Sequence, residues 1–439
     1  MMQIPLHSVH VPHRKHTAGQ APVRMPLPQS VTLPLSMHIG APAKPVVAVG
    51  DKVKIGQLVA EAGGFVSAPV HATVSGTVTK IDSVLLSSGA HVPAIVITSD
   101  GEGAVWEGIT PPAVTDTASF LDAVRQSGLV GLGGAGFPTS VKLSLRDPSL
   151  LETLVVNGAE CEPYITADTR TMLDETDYIA KGIRLLKTYL QPKKCVIGIE
   201  KNKPEAIAAV KKAVGGDAEV LVLPSAYPQG GEKMLVYRTT GRIIPEGKLP
   251  IDAGAVVINV TTLAALAKFI ETGMPLVEKC VTVDGGAVRT PMNVITPIGT
   301  AASDVFSFCG GFVREPRKIL YGGPMMGIAV PDIGVPVLKN TNALIALDES
   351  EAKEKKTTAC IRCGNCVSHC PMNLQPPAIA RAYEARDAER LYALRVNLCM
   401  ECGSCEFGCP AMRPLVQQNK LGKRLVAEYQ KKQKEAAQK

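Results

Sequence analysis

One cysteine spacing, occurring twice, limits how this chain can fold more than any other feature. Cys360, Cys363, Cys366 and Cys370, followed by Pro371, spell C-x2-C-x2-C-x3-C-P, and Cys399, Cys402, Cys405 and Cys409, followed by Pro410, spell it again. Three closely spaced thiolates wrap a shared inorganic core corner by corner, and the proline turns the chain away after the fourth. Zinc takes two pairs of ligands and needs neither the tight triplet nor the trailing proline. The spacing is that of 4Fe–4S ligation, in which the fourth cysteine of each run serves the other cluster. Cluster A is therefore expected on Cys360, Cys363, Cys366 and Cys409, and cluster B on Cys399, Cys402, Cys405 and Cys370. The remaining four cysteines are scattered: Cys195, Cys280 and Cys309 read as small buried hydrophobes, and Cys161, whose thiolate is disfavoured by the flanking Glu160 and Glu162, as a packing residue rather than a redox one.

The 28 residues between the runs contain "AIARAYEARDAERLYALRV", a helical period, so a helical two-cluster ferredoxin domain is expected over 348–415. Such clusters pass single electrons, so the rest of the chain must supply or accept them. Glu401 and Glu406 in the second run, against Arg362 and His369 in the first, suggest the lower potential for cluster B.

With 439 residues, 46% of them hydrophobic and 20% charged, the chain can bury several cores, and disorder as its main state is excluded. The expected architecture is multidomain α/β and α+β. Residues 1–42 read as an extended leader. Its histidines (His7, His10, His13, His16) recur every third residue, but Pro5 and Pro12 oppose a helix that would align them on a metal. There is no apolar signal segment, and the most apolar window, Ala253–Ile270, is broken by Asn259, Thr261, Thr262 and Lys268, so no transmembrane segment is expected. Residues 43–110 read as a β-sandwich of short strands and tight turns. They resemble biotinyl and lipoyl carrier domains, but the hairpin "SAPVHATVSG" lacks the lysine those domains modify, so the unit is armless and unmodified. Residues 119–270 alternate strand and helix patterns, an α/β domain with a largely parallel sheet. Residues 276–340 form a small α+β unit, and 416–439 a basic tail, either a solvated face or a contact for a partner or anionic membrane. The net charge of +7 is modest, and nothing points to nucleic acid.

Candidate binding residues lie in the α/β domain. "GLVGLGGAGFP" places Gly131, Gly133 and Gly136 in G-x-G-x-x-G spacing, with Gly134 between them. No clear strand precedes the loop, so it is either a tight structural turn or a cradle where backbone N–H groups approach a phosphate or flat ring. Lys142 follows, then "VVNGAECEP" with Asn157, Glu160 and Glu162 at a strand end, then Gly231 and Glu232 in "PQGGEK", and Asn259 at another strand end. Ligands bind at such strand ends.

In order and spacing these motifs resemble the flavin-carrying NADH subunit of respiratory complex I. That resemblance implies a Rossmann-like flavin and NADH domain followed by a β-grasp (SLBB-like) domain. It also implies FMN held by Gly131, Gly133, Gly134, Gly136, Lys142, Asn157, Glu160, Gly231, Glu232 and Asn259, with Phe137 and Glu162 on the nicotinamide side. One departure is Leu132, where that subunit carries arginine, so a phosphate contact is expected to be missing. Over its whole length the chain is similar to the C subunits of Rnf complexes. These are peripheral subunits on the cytoplasmic side of the cell membrane, in an ion-translocating NADH:ferredoxin oxidoreductase. This implies NADH as substrate, and as partners other Rnf subunits, including a ferredoxin-type iron–sulfur subunit and membrane subunits. Microcompartment cobalamin reductases share the flavin and cluster modules but begin near the glycine loop. A flavin-less relay is the non-enzymatic alternative, with Leu132 as its support.

Overall fold

The computed structural model describes residues 6–354 and 356–437. Residues 1–5 of the expected leader, Lys355 of the linker and 438–439 of the tail lie outside the described residues.

The centre is a parallel sheet in the order Glu219–Leu223, Lys194–Glu200, Thr153–Gly158, Ala255–Asn259. Three of its strands carry unbroken apolar runs (Leu154–Val156, Val196–Ile197, Val256–Ile258), the pattern of strands covered on both faces. Helices Thr176–Leu190 and Val260–Thr272 pack together on this sheet, their apolar stripes joining one core.

In front lies the β-sandwich. One sheet runs Ser30–Pro34, His91–Ser99, Gly76–Leu85, Lys52–Val53, and the other Lys44–Pro45, Leu58–Glu61, Val70–His71. The expected boundary at residue 42 is corrected here. Ser30–Pro34, assigned to the leader, is an outer strand of the first sheet, and its Val31 and Leu33 are buried. Flanking prolines conceal that short alternation in the sequence. The armless hairpin is docked rather than free. Pro69 O accepts from Lys339 Nζ at 2.6 Å, Thr73 Oγ1 donates to Ile298 O at 2.7 Å, and burial pushes the His71 imidazole down to about 3.

The β-grasp sheet runs Val23–Arg24, Met292–Pro297, Glu278–Asp284, Ala343–Leu347, Lys318–Tyr321, Ile328–Ala329. Two further boundaries move. Val23–Arg24, from the leader, is its edge strand, and the wholly buried Ala343–Leu347 lies past the expected end at 340. Edge pairing and central burial are tertiary facts with little local signal. The leader itself straps the α/β domain: Val9 and Tyr227 exchange backbone hydrogen bonds of 2.8 and 3.0 Å.

In the cluster domain the second cysteine run repeats the first in backbone as well as sequence. Left-handed residues recur at Arg362 and Glu401, Gly364 and Gly403, Asn373 and Met412. Helices Pro376–Glu384 and Ala388–Ala393 lie between the runs, and helix Leu415–Ala437 packs on both. That helix crosses the expected boundary at 415, and Val426 is buried with Ile379 and Leu391, so much of the tail belongs to this core. Among the described residues no helix is long and apolar enough to cross a membrane.

Candidate functional site

The site forms where the parallel strands end. Asn259 terminates one strand and N-caps helix Val260–Thr272, its Oδ1 accepting from Thr262 N at 3.1 Å and its Nδ2 donating to Asp168 Oδ2 at 2.7 Å. Asn157, on the adjacent strand, donates from Nδ2 to Gly230 O at 2.9 Å. The N-termini of helices Val260–Thr272 and Glu232–Thr240 start at this edge, which favours an anionic group there.

The glycine loop closes on itself through Gly131 N to Phe137 O (2.8 Å) and Gly136 N to Gly131 O (3.2 Å), leaving Gly133, Gly134 and Ala135 exposed. A Cβ at Gly133 would stand 2.9 Å from the Asn259 amide nitrogen, so a side chain there would press on the Asn259 amide. From the β-grasp domain, Asn340 Nδ2 donates to Gly134 O at 2.7 Å. Leu132 points away into the core, with its N–H on Thr262 Oγ1 and its carbonyl accepting from the buried Lys279 Nζ at 2.9 Å. Lys142 Nζ bonds Glu232 Oε1 at 2.8 Å and Val257 O at 3.1 Å.

Glu160, left-handed at φ 48°, caps helix Ala167–Asp174 through Asp168 N at 2.6 Å. Lys15 of the leader donates to the carbonyls of Glu160 and Glu162, each at 2.8 Å, and of Ile165. Glu162 is enclosed by the turn Gly322–Gly327. Its Oε2 accepts from Met325 N at 3.1 Å, its carboxyl faces Tyr227, and burial pushes it up to about 7. Thr139 Oγ1 and Gln229 Nε2 are buried beside these loops without a hydrogen-bond partner. Exposed backbone, two helix N-termini and orphaned polar atoms fit a flat ligand bearing a phosphate. Lys15, Thr139, Asp168, Tyr227, Gln229 and Lys279 carried no motif in the sequence and join the site only through folding.

The sulfurs of Cys360, Cys363 and Cys409 lie close enough to act on Cys366, and those of Cys370, Cys399 and Cys402 on Cys405. Burial, and after it the sulfurs of Cys409, Cys363 and Cys360, push the Cys366 thiol up. Burial and then Cys399, Cys402 and Cys370 do the same to Cys405. A cavity is lined by Cys370, Cys399, Cys402 and Cys405. Four sulfurs spaced around a cavity suit a cluster that takes one thiolate at each corner. Around cluster B, Leu374 N, Glu401 N and Asn419 Nδ2 point at sulfur at 3.3–3.4 Å. Glu401 is paired with Lys423 at 2.7 Å and Lys420 at 3.8 Å, which offsets its share of the charge difference expected between the clusters.

The second cysteine run packs against the glycine-loop domain. Cys402 packs with Tyr227, Val9 and Val11, against which Cys161, Met325 and Met400 also lie, and a Cβ on Gly231 would meet Met400 Cε at 2.4 Å. Cys161, with its thiol pushed up to about 12 by burial, packs there as expected. Cluster A lies outward, with Cys360 and Cys363 exposed.

Four family profiles match in register with these units: the RnfC barrel sandwich hybrid domain (6–102), the Nuo51 FMN-binding domain (124–268), the SLBB domain (280–329) and a 4Fe-4S dicluster domain (359–413). A chain of an NAD+-reducing [NiFe]-hydrogenase shares the fold, with a TM-score of 0.51 and 20% identity over 71% of this chain and 63% of that one. The C subunit of the proton-translocating ferredoxin:NAD(+) oxidoreductase complex of Clostridium ljungdahlii is 43% identical, covering 84% of this chain and 81% of the relative. The C subunit of the Na(+)-translocating complex of Acetobacterium woodii is 42% identical, covering 85% of each. The C subunit of the ion-translocating oxidoreductase complex of Rhodobacter capsulatus is 42% identical over 96% of this chain and 83% of its own. With relatives of this closeness spanning both chains, the protein belongs to the family of C subunits of ion-translocating ferredoxin:NAD oxidoreductase complexes.

Proposed function

We propose that this chain is the NADH-facing electron-transfer subunit of such a complex. It would sit peripherally on the cytoplasmic side of the membrane, beside a ferredoxin-type iron–sulfur subunit and membrane subunits. FMN, when bound, accepts a hydride and releases single electrons. The chain's own residues bind and orient. Gly133 and Gly134 would offer exposed backbone to the ring and phosphate, Gly131 and Gly136 close the loop that presents them, and Asn157, Asn259, Gly231 and the Lys142–Glu232 pair would border the site. Glu160 holds the neighbouring helix in place. Phe137 lines the nicotinamide side, and Glu162 acts there through Met325 and Tyr227. No side chain is assigned as an acid or base.

The observation that carries this reading is the packing order. Met400 and Cys402 of the second cysteine run lie against Gly231, Tyr227 and Cys161, while Cys360 and Cys363 face outward. Electrons would therefore pass between the flavin site and cluster B, then cluster A, then a partner. Relatives of near-equal identity are named for proton and for sodium translocation, consistent with an ion choice made outside this chain.

The test is anaerobic reconstitution with iron, sulfide and FMN, then stopped-flow mixing with NADH. Flavin bleaching followed by cluster reduction is expected. Eight irons without flavin binding or any response to NADH would reduce the chain to a relay.

A further inference from the structure

Beneath the glycine loop lies a cation that the α/β domain does not supply. Lys279 belongs to the β-grasp strand Glu278–Asp284, yet its side chain crosses the domain boundary and is 5% exposed. Its Nζ donates to one acceptor, Leu132 O, at 2.9 Å. Among the described residues no carboxylate comes within ion-pair distance. The opposite charge acting on it most strongly is Asp168, itself held by Asn259 Nδ2 at 2.7 Å and Thr261 Oγ1 at 2.6 Å.

An ammonium has three N–H donors, and a buried one with a single carbonyl acceptor is costly to keep. A methionine of similar length would remove that cost, so stability alone gives little reason for lysine here. The position gives a better one. Leu132 precedes the exposed segment Gly133–Ala135, and its own side chain is turned into the core. The charge therefore lies under the loop that meets the ligand, in a dry region where fields are weakly screened. Burial lowers the ammonium only to about 8, so it stays largely protonated at neutral pH.

We propose that Lys279 is a positioning residue for the flavin site. Its ammonium anchors the glycine loop through Leu132 O and provides the fixed positive charge that favours the reduced, more negative flavin. The β-grasp domain thus supplies from below what Leu132 lacks from above. This rests on the FMN reading given above.

The test uses the full chain, reconstituted with FMN and both clusters, and reads the flavin midpoint potential by spectroelectrochemistry alongside iron content and FMN stoichiometry. Lys279→Met and Lys279→Gln, the second keeping a neutral donor, are expected to weaken binding of reduced FMN about tenfold more than that of oxidised FMN. For a two-electron couple this is a fall of about 30 mV. Lys279→Arg is expected to hold the wild-type value. A neutral variant that keeps eight irons and FMN with an unmoved potential overturns the proposal. So does loss of the fold in both neutral variants, which would make the lysine structural. Wild-type protein that takes up no FMN would instead overturn the flavin reading itself.

Discussion

The duplicated cysteine run contains its own control experiment. Gly364 and Gly403 occupy the same place in the two repeats and share φ 83°, a left-handed conformation that costs a non-glycine residue about 1–2 kcal/mol. Their surroundings differ. A Cβ on Gly364 meets nothing within 4 Å, whereas one on Gly403 would stand 2.8 Å from Met325 O, a backbone atom of the turn that also binds Glu162. A backbone carbonyl cannot rotate aside as a side chain does, so Gly403→Ala must also push cluster B away from that turn, an overpacking cost of about 1–3 kcal/mol. The stiffening of the unfolded chain is the same in both variants and cancels. Gly364→Ala should therefore cost about 1–2 kcal/mol, and Gly403→Ala roughly 2–5 kcal/mol. The assay is urea titration followed by cluster absorbance, paired with stopped-flow reduction by NADH. Gly364→Ala should leave reduction of cluster B unchanged and Gly403→Ala should slow it. Equal stability and equal reduction rates in the two variants would refute the claimed contact between cluster B and the flavin side.

Exchange of the fourth ligands predicts that Cys409→Ser damages cluster A and Cys370→Ser cluster B; EPR of each singly depleted protein assigns which signal is lost. The raised Glu162 gives a pH dependence of definite sign. Its folded value of about 7 lies above the ordinary 4.5, so the folded state holds the proton more tightly and stability falls as pH rises from about 4.5 to 7. Glu162→Gln should remove that fall, up to about 3 kcal/mol at neutral pH, seen as a flatter profile of melting temperature against pH. Lys15→Met strips three loop carbonyls of their donor and should cost about 2–4 kcal/mol. Hydrogen exchange should rise in residues 159–166, and unchanged protection there would show that the leader does not hold the loop.

Much of the site was legible because its chemistry needs particular residues at short spacing. The cysteine runs, the glycine loop, and Asn157 and Asn259 at strand ends each announce themselves within a dozen residues. What escaped detection came from far along the chain or had a common residue type. Ser30–Pro34 hides its buried Val31 and Leu33 among prolines, and Ala343–Leu347 gains its meaning only between two distant partners. Glu401 reads in the sequence as an uncompensated charge, and only folding sets Lys423 and Lys420 beside it.

The sequence alone determined the units, their order and the inorganic chemistry, because cysteine spacing, apolar periodicity and glycine content act through neighbouring residues. Tertiary structure decided which cysteine run packs on the glycine-loop domain, and brought Lys15 from the leader and Lys279 from the β-grasp domain beneath the loops at the strand ends. No local pattern encodes those placements. They follow from which faces of separate domains bury each other, and from the low dielectric that gives a distant lysine influence once water has been excluded.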